Sequence, residues 1–205
     1  MRFHPVAALF IVCGLARNAT AQSAAPLPMP TVSYGTLKQN DLALRVRNED
    51  LEIRFVPLDP KVTRLLANDA FQSLRSLVQS RRRSIDSLAS RAGVTEPGLA
   101  LVSFYGLRSE TRFDPQTIIV RLRSRELQPL GIIPINVRFS SNQLMQREQV
   151  SAIYLFEEDL PVEDSFSISY GALMSEDWET KQQLIDRERA RVSARARKQP
   201  RDTSR

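Results

Sequence analysis

The chain has 205 residues, 42% of them hydrophobic and 25% charged, with a single cysteine and a single histidine. That balance belongs to an ordinary globular protein with room for one substantial core, and it excludes a disulfide-built scaffold or a Cys/His zinc fold. The net charge of +6 is local: residues 181–205 hold nine Lys/Arg against three Asp/Glu, while residues 22–180 hold 18 against 20, so the body is close to neutral.

At the N-terminus Arg2 precedes an apolar run from Val6 to Ala16, and Ala19-Thr20-Ala21 has the small-x-small form of a cleavage site. Residues 1–21 therefore read as a signal peptide, which places the chain in the periplasm or outside the cell. The run is about half the length a membrane span needs, and no later segment approaches it. Cys13 as a lipoprotein cysteine is disfavoured, because bulky Ile11 and Val12 stand where a small residue is required. Cleavage before Gln22 removes both His4 and Cys13, and with them any imidazole base, thiolate nucleophile or His-ligated metal.

Residues 22–38 read as a proline-rich linker or N-terminal arm, with Pro26, Pro28 and Pro30 opposing helix. Next, Leu42, Leu44 and Val46 alternate with Arg45 and Arg47, and Leu51, Ile53 and Phe55 alternate with Glu52 and Arg54. With Asn48-Glu49-Asp50 between them, these runs predict a β-hairpin buried on one face. Asp59-Pro60 opens a helical insertion over about 60–92, with Asp59 as N-cap. Its stripe is Ala67, Phe71, Leu74, Val78, Ile85, Leu88 and Ala92, with Gly93 as terminator. A kink is expected near Ala67-Asn68-Asp69. Arg81 interrupts the stripe and is expected to pack its stem and send its head to water.

Strand patterns resume with LALVSFYGL (99–107), apolar enough for a central buried strand. TIIVRLR (117–123) alternates, PLGIIPINVRF (129–139) is confined to an edge by Pro129 and Pro134, and VSAIYLFEED and DSFSISYGAL end at Gly171. About seven strands without a βα rhythm predict a mainly β chain, an antiparallel β-sandwich of immunoglobulin-like type spanning 39–172. Residues 173–205 are expected to form a C-terminal helix, with Trp178, Ile185 and Val192 at seven-residue spacing, followed by a basic disordered tail.

Chemistry-bearing candidates are few. The outward arginines Arg45, Arg47 and Arg54, with Arg121, Arg123 and Arg125, would merge into a face for anionic polysaccharide, lipopolysaccharide or phospholipid if their strands shared a sheet. In different sheets they would be dispersed solubilising charges. These rows lack interleaved aromatics, so nucleic acid is not an expected partner. Glu157, Glu158, Asp159, Glu163 and Asp164 are the candidate calcium ligands, but the spacing and glycine of a calcium loop are missing and a solvated hairpin tip is the plainer reading. A carboxylate-pair hydrolase needs no histidine. None of the lysines Lys38, Lys61, Lys181 and Lys198 follows a Ser-x-x-Lys pattern. No cofactor is expected. The composition favours a non-catalytic interaction or structural module of the cell envelope that engages a protein partner, with an anionic polymer or surface as the alternative ligand. Export is checked by the intact mass of the chain recovered from the extracytoplasmic fraction, which should correspond to a protein beginning at Gln22; a chain retaining residues 1–21 would overturn the leader assignment.

Overall fold

The computed structural model describes residues 35–198. The predicted leader (residues 1–21) with His4 and Cys13, residues 22–34 of the predicted proline-rich segment and the residues beyond Lys198 lie outside the described residues. A short helix, α1 (Gln39–Leu42), leads into β1 (Leu44–Arg47) and β2 (Leu51–Pro57), followed by α2 (Pro60–Thr63), α3 (Asn68–Ser80) and α4 (Arg82–Ala92). Strands then dominate: β3 (Gly98–Gly106), β4 (Thr111–Arg112), β5 (Ile118–Arg121), β6 (Glu126–Leu127), β7 (Gly131–Pro134), β8 (Gln143–Leu144), β9 (Gln149–Phe156), β10 (Ser167–Tyr170) and β11 (Leu173–Ser175), with α5 (Trp178–Lys198) last.

The predicted hairpin forms, pairing Leu44 with Phe55 and Val46 with Ile53 on one face. The Asn48 side chain fixes its turn by accepting the amides of Asp50 and Leu51 at 2.9 and 2.7 Å. One antiparallel sheet runs β1-β2-β3-β9-β7, a second runs β11-β10-β5-β6, and β4 pairs with β8. LALVSFYGL is thus the central strand, and the proline-flanked β7 is an edge. The chain is mainly β and antiparallel, and fits a β-sandwich. The eleven strands among the described residues exceed the expected seven because several are two- or three-residue pieces that leave no period in the sequence. An immunoglobulin domain puts its second and third strands in different sheets, whereas the first three strands among the described residues run side by side.

Between the two sheets lie Ile53, Phe55, Val102, Phe104 and Ala152 from the first, and Ile118, Val120 and Ile168 from the second. Phe104 stacks on Phe113 at 4.5 Å and meets Phe139 edge-on at 5.9 Å, closing one end of this core. The buried Tyr154 hydroxyl donates to the Pro115 carbonyl at 2.9 Å, and burial pushes its pKa up, so it stays a neutral donor.

The helices make a third layer on the outer face of the five-stranded sheet. A Cβ on Gly131 would stand 3.0 Å from a Leu88 methyl, so α4 lies close over β7 at a position that has no side chain. The stripe residues Phe71, Leu74 and Ile85 are buried. Gly93 caps α4 at φ +71°, as expected of a left-handed terminator. The stripe breaks twice: at Ala67 as predicted, and again at Arg81, whose φ of −106° separates α3 from α4. Contrary to expectation the Arg81 head does not escape to water. Its Nη2 donates to the Ile135 carbonyl at 3.4 Å, and its Nε is buried without a partner.

Gly171, expected to end the strands, instead turns the chain at φ +57° into β11. Helix α5 then docks on the body through buried Trp178 and Ile185, with Val192 half-buried along the same stripe. Glu188, only 2% exposed, is the polar clamp of that contact. Its Oε1 accepts the Thr36 amide at 2.9 Å and hydroxyl at 3.0 Å, while Arg191 and Arg195 approach at 2.7 and 3.2 Å. Glu188→Ala is expected to cost about 1–3 kcal/mol, since the amide loses a charged acceptor while both arginines rehydrate. Urea midpoint and Thr36 amide exchange check this; no change in either would remove Glu188 as the clamp.

Candidate functional site

Pairing registers align the outer face of the five-stranded sheet into rungs. One is apolar: Val56, Leu101, Ile153 and Ile133. The next is Arg45, Arg54, Ser103 and Ser151, and the one after it Arg47, Glu52, Tyr105 and Gln149. Over the polar rungs a cleft of about 630 Å³ stays open, walled by Lys38 and Asn40 at the start of α1 and by Leu77, Ile135 and Asn136.

The cleft floor is built by hydrogen bonds across strands. Ser103 and Ser151 join hydroxyl to hydroxyl at 2.8 Å, and Gln149 Nε2 donates to the Ser151 Oγ at 3.2 Å. Just past the end of β7, the Asn136 side chain accepts the Ser151 amide at 2.8 Å, continuing the ladder where the strand has stopped. Arg54 donates from Nε to Glu52 at 2.7 Å and from Nη1 to the Tyr105 hydroxyl at 3.3 Å, and its guanidinium lies 4.3 Å from the Tyr105 ring centre. Arg54 is thereby held in one orientation with donors to spare. Guanidinium, ammonium, amide and hydroxyl groups together suit a ligand rich in anionic and hydroxyl oxygens.

Of the six arginines singled out from sequence, only Arg54 lines this cleft. Arg45 and Arg47 continue its rungs beyond the rim; Arg47 pairs with Glu52 at 3.8 Å, and Arg45 is exposed with no ion pair among the described residues. The same neighbourhood holds Lys181, which donates to the Asp41 carbonyl at 3.3 Å and whose pKa is lowered by burial and by Arg45. Arg121 belongs to the other sheet, where it pairs with Glu126 at 3.1 Å. Arg123 and Arg125 sit in the β5–β6 turn, not on a strand, and Arg125 pairs with Glu158. The two arginine rows therefore do not merge: β5 pairs with β10 and β6, not with β1 or β2.

The acidic candidates are likewise spread out. Glu158 is taken by Arg125, Glu163 by Lys61 at 3.1 Å, and Asp164 sits in a turn donating its amide to the Pro161 carbonyl. Glu157 and Asp159 are exposed. Among the described residues no group of three or more His, Cys, Asp or Glu is arranged to hold a metal ion. A wider depression of about 810 Å³ between α4 and the start of β3 includes Asp59, Asp86, Glu96 and Asp159. Its charges are mixed, with Arg82 bound to Asp86 at 2.9 Å and Lys61 to Glu163, so it lacks the fixed donor set of the cleft.

Ser103, Tyr105, Ser151, Gln149 and Asn136 were not predicted as site residues. Their signal was present: serines interrupt the outward rows of two otherwise apolar strands, and only the strand register brings those interruptions together. Comparison of the chain with protein-family models, curated proteins and solved structures finds no match in any of the three.

Asp59 caps α2 as predicted, accepting the Lys61 amide at 2.6 Å, yet burial raises its pKa above the ordinary 3.8, and Asp159 and Glu163 add to the shift. An acid raised on folding contributes stability below its unfolded pKa and loses it as pH rises through the folded value. Asp59→Asn keeps the cap and removes this titration. Its urea midpoint relative to wild type should therefore rise as pH is taken from about 3 to 6; a constant difference would show that Asp59 ionises freely.

Proposed function

We propose that this chain is an exported, non-catalytic interaction module of the cell envelope, and that its ligand is an acidic polysaccharide lying across the two polar rungs. The observation that carries this reading is the alignment of Arg54, Ser103, Ser151, Tyr105 and Gln149 on adjacent strands, under an open cleft whose rim adds Lys38 and Asn40. Of the apolar residues around that floor, Ala43, Val56 and Leu101 are already buried. A row of rigid polar groups at strand spacing matches a polymer of sugar rings better than it matches a compact substrate.

Support for a binding role over a catalytic one comes from how the reactive groups are used. The two floor hydroxyls bond to each other, and Glu52 is engaged by Arg47 and Arg54. Helix α5 spends its apolar stripe on its own body, so it offers a partner protein mainly exposed charge. The arginine reading of the sequence is thereby narrowed from two rows to one sheet face.

The test is calorimetric titration with oligogalacturonate. Wild-type binding should weaken strongly between low and physiological ionic strength, as exposed charge contacts do. Arg54→Ala and Tyr105→Ala should each weaken it about tenfold or more, the scale of one charge-assisted hydrogen bond. Arg121→Ala, on the other sheet, should leave it unchanged. Equal binding by Arg54→Ala and wild type, or an equally severe loss in Arg121→Ala, would refute the assignment.

A further inference from the structure

Most half-buried arginines among the described residues have an answer to their charge or their donors: Arg54 has Glu52 and Tyr105, Arg81 has the Ile135 carbonyl, and Arg189 has Asp186. Arg75 does not. It lies half-buried on α3, makes no hydrogen bond or ion pair within the described residues, and its Nε is closed off from solvent without an acceptor. Holding a guanidinium nitrogen away from water with nothing to accept its hydrogen costs free energy that a folded protein ordinarily avoids.

The same side chain lines a cavity of about 160 Å³ between α2, α3 and the start of β3. The other walls are chiefly Leu58, Phe71, Leu74, Val78 and Leu99, with Arg82 at hand but paired to Asp86. An apolar cavity of this volume has room for about six carbon atoms, the size of a benzene ring. Apolar volume beside an unanswered cation is complementary to one small-molecule class. A neutral alcohol would leave Arg75 unanswered, and a carboxylate without a tail would leave the cavity unfilled.

We infer that this cavity binds a short-chain aliphatic carboxylate, its tail among Phe71, Leu74, Val78 and Leu99 and its carboxylate on Arg75. The guanidinium fork matches a carboxylate in two parallel hydrogen bonds, and the surrounding apolar walls strengthen them. The site is separate from the polar cleft. That cleft takes a different residue of α3, Leu77, and the opposite half of the sheet face.

The experiment is a titration of the full chain with hexanoate, hexanol and acetate, followed by resonance shifts of Phe71, Val78 and Leu99. Hexanoate should give saturable shifts at these residues with a millimolar or tighter dissociation constant, and hexanol and acetate should bind about tenfold more weakly or less. Arg75→Gln should weaken hexanoate about tenfold, Arg75→Lys should recover part of the loss by restoring charge, and Arg54→Ala should have no effect. Should Arg75→Gln fail to fold, the three-ligand comparison on the wild-type chain decides alone. Absence of saturable shifts, or equal binding of hexanoate and hexanol, overturns the proposal. Tighter binding of a dipeptide ending in leucine than of hexanoate also overturns it, by assigning the cavity to a protein C-terminus.

Discussion

The pairing of β3 with β9, eight aligned residue pairs in the middle of the larger sheet, is the constraint on which the remaining architecture depends. Inward, Ala100, Val102 and Phe104 stand beside Val150, Ala152 and Tyr154; outward, Leu99 and Leu101 stand beside Leu155 and Ile153. Strands apolar on both faces must be covered twice. The four-stranded sheet supplies one cover and the α3–α4 pair the other. Gly131 is part of the second solution, because Leu88 reaches the sheet across a position that has no side chain. Arg81 is another part: it sits where the helical layer meets the sheet edge, and its donor answers a carbonyl that has just left β7.

The cleft follows from where that second cover stops. Beyond the Leu101–Ile153 pair the outward residues of the same strands become Ser103 with Ser151 and Tyr105 with Gln149. Hydroxyls this deeply placed need partners, and the two serines satisfy each other without help from the helices. Asn136 takes over from β7 by substituting a side-chain carbonyl for a backbone one. The polar floor is therefore rigid for the same reason the core is, being fixed by register on central strands. A site placed on strands holds its groups more tightly than one placed on loops.

Much of this was legible along the chain. Period-two alternation gave the first hairpin, unbroken apolarity gave the central strand, and Pro129 with Pro134 gave the edge. Local chemistry was enough there, because each signal lies within one element. What was not legible depends on which element lies beside which. TIIVRLR looks the same in either sheet, so the fate of Arg121 depended on β5 pairing with β10. The arginine triplet at 81–83 hid a helix break, since Arg81 serves a carbonyl 54 residues away. Strand β11 is three residues long and carries no period. Glu188 read as one more charge on a basic helix, and became a buried clamp only through Thr36, 152 residues earlier in the sequence.

The net positive charge and the candidate site are physically distinct, which bears on how an anionic ligand would be selected. Within α5, Arg191 and Arg195 are neutralised in part by Glu188, and positive charge held away from a site would speed encounter with an anion without choosing a partner. Under the proposed function, selection would fall to Arg54 in the cleft and to Arg45 beyond its rim, which the β1–β2 register holds directly opposite one another. Like charges in that relation are unfavourable. Glu52 relieves Arg54 and Arg47, but Arg45 gains no carboxylate among the described residues. Because β1 cannot shift by one residue without turning Leu44 and Val46 out of the core, the repulsion is locked in by apolar burial on the opposite face. An anion bridging this rung would remove a cost already present in the free protein, so its binding and the stability of the hairpin must rise together.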